Sequence, residues 1–380
     1  MGSLGTFTKG APLSKADISE TGFPFILYGE LYTTYKEVTY HVYRQTDANA
    51  PKECFSNIGD VIIPTSGETP EEIATATCVM VPNVILGGDL NIYRNNAVDG
   101  RIISYIINHK INKCIAKIAQ GKSVVHIKAD DLSKMNIIYP EKDEQAKIIN
   151  FLWLIDKRIE KQRQLVESLK KYKRGLISKI FEQSCKNGEI VKLEAIGNFY
   201  SGLSGKNKDD FGIGDDIFIT YMNVYKNVVA DSNMCDKVKI KTNESQNEVQ
   251  YGDILFTQSS ETLEEVGFSS VWLSKQTAYL NSFCFGFRLL DLDKVDPVFI
   301  SYYMRTNNIR KLIMREGQGA TRVNLSSERL KQIKIELPKI NIQKQIANIM
   351  LKTDERINMS KEIVFALTNM KQGLLQQMFI

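Results

Sequence analysis

The longest hydrophobic pattern in the chain runs from Asp143 to Phe181. Its apolar residues recur at alternating spacings of four and three, which is the heptad pattern of a helix that packs along another helix. The members are Ile148, Leu152, Ile155, Ile159, Val166, Leu169, Leu176 and Ile180, with the polar residues Gln162 and Lys173 in the two gaps. The pattern predicts one helix of about 40 residues, roughly 60 Å long, whose seam must be covered by a partner helix.

The partner helix is predicted within the same chain, because the seam recurs 198 residues later. The second seam consists of Ile346, Met350, Thr353, Ile357, Ser360, Val364, Leu367, Lys371, Leu374 and Met378. The polar interruptions also agree, since Gln162 aligns with Ser360 and Lys173 with Lys371. We predict that Ile148, Leu152, Ile155, Ile159, Val166 and Leu169 pair with Ile346, Met350, Ile357, Val364 and Leu367.

The segments that precede the two helices are also copies of each other, which indicates an internal repeat. PFILYGELY at 24–32 matches IFITYMNVY at 217–225, and GDVIIPTSGETPEEI at 59–73 matches GDILFTQSSETLEEV at 252–266. The apolar runs are typical of short strands, and each Gly-Asp pair of a turn. A later helix is predicted near Asp99 in the first copy and from Asp296-Pro297 in the second.

The predicted fold class is α+β, with two repeated mixed α/β domains that are each followed by a long helix. The predicted boundaries are 1–140 for the first domain, 141–185 for its helix, 186–338 for the second domain and 339–380 for the last helix. Heptad spacing leaves the orientation of the helix pair open. Equal helices after equal domains favour an antiparallel coiled coil with pseudo-twofold symmetry. Two like domains that differ in their loops suggest two related recognition tasks rather than one active site.

Composition narrows the function classes only a little. The chain of 380 residues is long enough for two to three domains, and its net charge of +5 permits nucleic-acid binding without requiring it. The six cysteines are scattered, which favours reduced thiols, and the three histidines form no ligand pattern, so we predict no metal site. No signal peptide opens the chain and no apolar run approaches a membrane span, so a soluble cytoplasmic protein is expected.

One enzyme-like motif occurs, AKIAQGKS at 116–123, with Ala in place of the first Gly of a P-loop. A true P-loop follows a strand and opens a helix, so that the amides of the helix terminus bind phosphate. Here a predicted helix precedes the motif and a predicted strand at 124–127 follows it. The chain also lacks the Asn/Asp-Pro-Pro-aromatic tetrapeptide of amino-methyltransferases and other common catalytic signatures. We therefore predict no catalytic residues.

The segment 143–181 carries ten Lys/Arg against five Asp/Glu. A solvated face of the coiled coil is the simpler explanation of this excess. Contact with a partner subunit, or with DNA phosphates beside the helix, is the alternative.

The ordered repeat resembles the specificity (S) subunit of type I restriction–modification systems over essentially the whole chain. The resemblance rests on the twofold repeat, on the Gly-Asp segment that ends in ETxEE, on a Gln-Gly turn and on the start of each long helix. In the first copy that start reads Pro140, Glu144, Gln145, Ile148, Leu152 and Asp156. The second copy keeps Pro338, Ile346 and Asp354 but has Ile342-Gln343 in place of Glu-Gln.

The resemblance implies a non-catalytic DNA reader, active in defence against foreign DNA, with two target-recognition domains that each read one half of a bipartite asymmetric target. It implies that the partners are double-stranded DNA, two methyltransferase subunits and, through them, restriction–translocation subunits. S-adenosylmethionine, ATP and Mg would belong to those partners, and this chain would bind no cofactor. An alternative is a DNA methyltransferase or nuclease with drifted motifs, which would bind S-adenosylmethionine by itself. A coiled-coil scaffold is disfavoured, because most of the chain lies in two globular domains.

Candidate base-reading side chains are polar residues in repeat-equivalent segments whose sequences differ between the copies, because positioning elements should match and readers should not. They are Glu30, Thr65, Ser66, Lys122, Ser123 and His126 in the first copy, and Asn223, Gln258, Ser259, Thr321, Arg322 and Asn324 in the second. A carboxylate such as Glu30 can accept from cytosine N4, and an amide such as Asn223 can pair with adenine. For each of them, an ordinary surface role is the competing interpretation.

Overall fold

The computed structural model describes residues 1–119, 121, 124–319 and 321–379. It divides into two compact units, which are Met1–Arg163 with Glu362–Ile380, and Gln164–Lys361. Each unit thus contains one globular domain and a part of each long helix. No helix in the described part of the chain is long and apolar enough to cross a membrane.

The first domain is built on a five-stranded sheet. The strand order is Gly5–Lys9, Leu90–Asn95, Asp60–Pro64, Thr77–Val79 and Val38–Thr39, and only the last pair is parallel. A smaller sheet has the order Arg44–Thr46, Phe23–Ile26 and Ile85–Leu86. The strand Asp60–Pro64 is buried along its whole length, which explains its nearly continuous apolar sequence.

Short helices pack around the sheets of the first domain. They are Glu30–Thr33, Pro70–Ile73, Gly100–Ile106, the π-helical turn Ile107–Ile111, Asn112–Ile118 and Ala129–Ser133, with 3-10 turns at Lys15–Asp17 and Lys52–Cys54. The helix predicted near Asp99 begins at Gly100, because the Asp99 carboxylate accepts a hydrogen bond from the Arg101 amide. Its apolar face is buried in the core of the domain.

The second domain repeats the arrangement. Its main sheet has the order Gly197–Ser201, Cys284–Leu289, Ile254–Thr257 and Ser269–Val271. One smaller sheet contains Cys235–Val238, Phe211–Ile219 and Tyr279–Leu280, and another pairs Glu189–Lys192 with Lys334–Leu337. Its helices are Tyr221–Lys226, Pro297–Met304, Asn307–Glu316 and Ser327–Lys331, with 3-10 turns at Leu193–Ala195, Lys208–Asp210 and Ser232–Met234. The first four strands of the main sheet follow the same order in both domains, so the sequence repeat is a repeat of structure.

Two long helices, here called the first and second spacer helices, span Lys142–Cys185 and Ile340–Met378. Asp143 and Asn341, residue types that often cap a helix, are each the second residue of their helix. In the first unit, Leu152 shares a core with Leu375 and Phe379, so the start of the first spacer helix lies beside the end of the second.

In the second unit, Phe181 and Cys185 share a core with Ile346 and Met350, so the end of the first spacer helix lies beside the start of the second. The spacer helices therefore run antiparallel. The predicted α+β fold with two repeated domains and packed long helices is confirmed.

The seam departs from its predicted register at the end of the second spacer helix. We expected Leu374 and Met378 to be buried, whereas Leu375 and Phe379 are buried and Met378 is exposed. At this end the helix also packs into the core of a globular domain. The ring of Phe379 stacks on Tyr105 at a centroid distance of 5.7 Å, so the domain rather than the heptad pattern selects the buried residues.

Candidate nucleic-acid interface

Two short antiparallel ribbons bring predicted polar residues together, one in each domain. In the first ribbon, Ser66–Gly67 pairs with Val125–His126, and Ser66 lies opposite His126. In the second ribbon, Ser259–Ser260 pairs with Val323–Asn324, and Ser259 lies opposite Asn324. Segments that are distant in the sequence thus become neighbours at the same place in both domains.

The two ribbons share one backbone frame. The Ile127 amide donates to the Thr65 carbonyl at 3.0 Å, and the Leu325 amide donates to the Gln258 carbonyl at 2.8 Å. The side chains on this frame differ between the domains, with imidazole in one and amide groups in the other. A constant frame with variable side chains is the arrangement expected of a sequence-reading element.

Most of the candidate readers on the ribbons face solvent. His126, Gln258, Thr321, Arg322 and Asn324 are exposed, Thr65 is half-buried, and Ser66 and Ser259 are buried. The Thr65 hydroxyl lies 3.4 Å from an Asp89 carboxylate oxygen. Lys122 and Ser123 lie outside the described residues.

Glu30, a candidate base-reading residue, is not exposed as such a role requires. Its side chain is buried, and its carboxylate accepts hydrogen bonds from the Leu27 amide at 3.0 Å and from Arg44 Nε at 2.8 Å. These bonds fix the turn into a short helix and leave the carboxylate covered. The position fits a structural role rather than contact with cytosine.

Asn223 is fully buried at the matching position of the second domain. Its Nδ2 donates to the Asp231 carbonyl at 2.7 Å, and its Oδ1 accepts from the Asp231 amide at 2.9 Å and from Asn227 Nδ2 at 3.0 Å. The amide is thus committed to the loop that follows it and offers nothing to an adenine edge. Neither Glu30 nor Asn223 belongs to the surface proposed below.

The structure adds residues that sequence comparison missed. A hollow of about 860 Å³ beside the first ribbon is lined by Lys9, Ser14, Thr65, Asp89, His126, Lys128 and Asp130, among others. A hollow of about 220 Å³ beside the second ribbon is lined by Tyr221, Ser259, Ser260, Glu261, Glu265, Phe283 and Arg322. Asp89 and Phe283 both directly precede a matched strand, and that shared place was the signal available in the sequence.

The polar interruptions of the seam form ion pairs between the spacer helices. In the first unit, Lys371 Nζ lies 2.7 Å from Asp156, and in the second unit Lys173 Nζ lies 2.5 Å from Asp354. Lys173 and Lys371 are repeat-equivalent, and so are Asp156 and Asp354, so each pair is the counterpart of the other. A largely buried lysine such as Lys371 needs a carboxylate partner, and this requirement selects one register of the helices.

A matched glutamine joins each domain to the spacer helix that follows it. Gln145 Oε1 accepts from the Asp99 amide at 2.9 Å, and Gln343 Oε1 accepts from the Asp296 amide at 2.9 Å. Both side chains are buried, whereas the preceding residue is exposed in each copy. This explains why the second copy can replace Glu144 by Ile342 and yet retain the glutamine.

The ion pair of Lys371 extends to a largely buried carboxylate of the first domain, that of Glu37. Lys371 Nζ lies 3.5 Å from Glu37, and His109 Nε2 lies 2.9 Å from the same carboxylate. Burial by itself would raise the pKa of Glu37, but the hydrogen bond with His109 and the charge of Lys371 outweigh burial and lower it to about 2.

Replacement of Glu37 by glutamine should destabilise the protein in a pH-dependent way. Because the folded-state pKa is depressed, the stabilisation is present above the ordinary value of 4.5 and is lost as the pH falls towards 2. We expect Glu37→Gln to lower the free energy of unfolding by roughly 2–3 kcal/mol at pH 7, and by less than half of that near pH 3. Denaturant titrations at both pH values measure this, with the exposed Glu20→Gln as control. An equal loss at both pH values would contradict the assignment.

In the described part of the chain, no group of three His, Cys, Asp or Glu side chains could hold a metal ion. The features that stand out are two like α+β domains, each with a polar ribbon of its own chemistry, and two antiparallel helices that connect to them. A protein of this organisation carries two polar surfaces of different side-chain chemistry, one in each domain.

The chain matches the family described as type I restriction modification DNA specificity domain, over residues 1–171 and again over 186–368. It therefore belongs to the specificity-subunit family of type I restriction–modification systems, as the sequence resemblance predicted. The two matches cover both copies of the repeat.

Solved structures of similar fold include the S subunit of a type I system from M. genitalium, at 16% identity and a TM-score of 0.58, covering 100% of this chain and 94% of that chain. The HsdS subunit from Thermoanaerobacter tengcongensis matches at 16% identity and a TM-score of 0.54, covering 100% of this chain and 95% of that chain. A chain from a study of complex assembly and conformational transition of the type I system matches at 16% identity and a TM-score of 0.58. These structures share the fold of this chain.

Proposed function

We propose that this chain reads a bipartite, asymmetric DNA target, with one half-site for each domain, and that it docks two methyltransferase subunits. Restriction–translocation subunits would join through those partners, and S-adenosylmethionine, ATP and Mg would act in the partner subunits. The observation that supports the proposal most directly is the pair of ribbons, which share a backbone frame and differ in their exposed side chains.

Unlike half-sites follow from the chemistry of the two ribbons. The first presents the imidazole of His126 beside the carboxylate of Asp89, whereas the second presents the amides of Gln258 and Asn324 with the guanidinium of Arg322. Base edges in the major groove differ in their donors and acceptors, so these sets favour different bases. The continuous spacer helices, held in one register by their ion pairs, would set a fixed gap between the half-sites.

A methyltransferase map tests the reading function. The full chain is co-purified with the methyltransferase subunit of its own system, and methylated positions are mapped on DNA of random sequence. The expected result is a site of two unlike half-sites with one gap length. Methylation without a sequence preference would contradict the proposal, and methyl transfer by the isolated chain would favour the drifted-enzyme alternative.

Each spacer helix carries an exposed apolar stripe beside its seam. Each stripe occupies one heptad position and consists of three apolar residues and one arginine, namely Phe151, Arg158, Leu165 and Tyr172 on the first helix and Ile349, Arg356, Ile363 and Met370 on the second. The two sets are 198 residues apart and therefore repeat-equivalent. Apolar residues at regular spacing on an exposed helix face suit a partner helix, and two equivalent stripes suit two copies of one partner. We assign these stripes to the methyltransferase subunits.

The double variant Leu165→Asp with Ile363→Asp should lose the methyltransferase subunits on co-purification. Placing a charge where an apolar side chain is buried by a partner should weaken the affinity for that partner by more than about tenfold at each position. The matched control is Phe365→Asp, since Phe365 is 69% exposed and lies about 200° around the helix from Ile363. Equal retention of the partner by the double variant and the control would remove the stripes from the proposal.

A further inference from the structure

An arginine beside the second ribbon is held in a way that suits base recognition. Arg322 directly precedes the strand Val323–Asn324, and its guanidinium carbon lies 5.6 Å from the centroid of the Phe283 ring. Phe283 is itself 52% exposed, so the pair of side chains faces solvent. A cation–π contact with an aromatic ring limits the positions of the guanidinium while its N–H donors remain available.

The donors of Arg322 contrast with those of other arginines in the second domain. Arg305 and Arg310 donate to backbone carbonyls of the domain, and Arg288 donates to the Asp253 carboxylate. Within the described part of the chain, the Arg322 guanidinium has an aromatic contact but no hydrogen bond or ion pair. The N–H donors of Arg322 are thus held in place and remain available for hydrogen bonds with a ligand.

The ribbon next to Arg322 is fixed by a network of hydroxyls around one carboxylate. Glu265 accepts hydrogen bonds from the Tyr225 hydroxyl at 2.9 Å and from the Ser260 hydroxyl at 3.0 Å, and these bonds lower the pKa of Glu265. Ser260 lies opposite Val323, the neighbour of Arg322. The backbone that presents Arg322 is therefore anchored, and the nearby carboxylate is already occupied by donors of its own.

The first domain has different chemistry at both positions. The ribbon register places Val124 at the position of Arg322, and the turn before the matched strand places Asp89 at the position of Phe283. Val124 has no hydrogen-bond donor in its side chain, and Asp89 has no ring on which a cation could stack. Of the two domains, the second alone thus has an arginine in contact with an aromatic ring at this place, as a reader of one half-site should.

We infer that Arg322 reads the guanine of a G·C pair in the half-site of the second domain, and that Phe283 is its positioning residue. Guanine presents two acceptors in the major groove, O6 and N7, which match two parallel N–H donors of a guanidinium. A lysine has the same charge but lacks this fork, so the arginine is expected to discriminate between bases rather than only attract DNA. The inference rests on the function proposed above.

The test uses the full chain in complex with its methyltransferase subunit and a duplex library of random sequence. The unaltered complex should require a G·C pair at one position of the half-site that belongs to the second domain. In Arg322→Lys, preference for that pair should fall by roughly ten- to a hundredfold, while every other position and the other half-site stay unchanged. The unchanged half-site serves as the internal control for folding.

Phe283→Leu should relax the same position by a smaller factor, and the double variant should add little to Arg322→Lys. A structural role for Phe283 would instead alter several positions, or add independently to the loss. The inference is overturned if the native half-site contains no required G·C pair, or if Arg322→Lys weakens methylation of all sequences by one factor, as a phosphate contact would. In both cases the proposed function stands, since the complex still selects a bipartite site. A complex without any sequence preference would overturn both.

Discussion

A fragment that ends at Cys185 should form a homodimer and direct methylation to a palindrome. The fragment retains one domain and one spacer helix, whose seam would otherwise expose a long row of apolar residues. A second copy can supply almost the same partner surface, because Lys173 is the repeat counterpart of Lys371 and Asp156 that of Asp354. Two copies can therefore make the Lys173–Asp156 pair twice, in a closed twofold arrangement.

The ends of the spacer helices strengthen this expectation. In the intact chain, Phe379 stacks on Tyr105 of the first domain, and Phe181 stacks on Tyr303 of the second at 5.4 Å. Since Phe181 and Phe379 are repeat-equivalent, the Phe181 ring of one fragment can take the place of Phe379 in the other. The core of the first domain is then completed by its partner copy.

Sedimentation and methylation mapping measure the outcome for the fragment. We expect a dimer that, together with the methyltransferase, methylates the first half-site in two inverted copies with a gap close to the natural one. Asp156→Lys in the fragment is the matched control, because it sets like charges opposite Lys173 and should give monomers. A monomeric parent fragment, or methylation at the original asymmetric site, would show that the helices do not pair in this way.

Exchange of residues 191–338 for the same segment of a related specificity subunit should replace one half-site completely and leave the other intact. The segment suits an exchange because its ends lie together, with Val191 opposite Ile335 in a two-stranded sheet. Each ribbon lies within its own domain, so the donor segment brings its own readers. We expect the base preferences of the second half-site to become entirely those of the donor subunit.

The exchange must preserve one contact with the first spacer helix. Phe181 packs against Phe299 and Tyr303 inside the segment, so the donor should carry aromatic residues at both positions. Methylation mapping before and after the exchange gives the result, and the first half-site acts as control. If both half-sites change together, the domains do not read DNA independently.

The heptad pattern was sufficient to predict the spacer helices, and the repeat was sufficient to predict two like domains. Both inferences rest on local periodicity and on identity between copies, which can be counted along a chain. The family also followed from ordered motifs. Ser259 and Asn324 were proposed from two separate segments of the sequence, and the second ribbon places them opposite each other.

The antiparallel orientation of the helices, by contrast, depends on which carboxylate each seam lysine contacts across the pair. Which side chains are buried also depends on contacts between distant segments. Glu30 and Asn223 look like loop residues, but the donors and acceptors that enclose them come from other segments of each domain. Phe379 replaces Met378 in the core because a domain surface, not the heptad, surrounds that helix end. Periodicity records the neighbours of a residue along its own helix or strand, whereas contacts between distant segments arise only when the chain has folded.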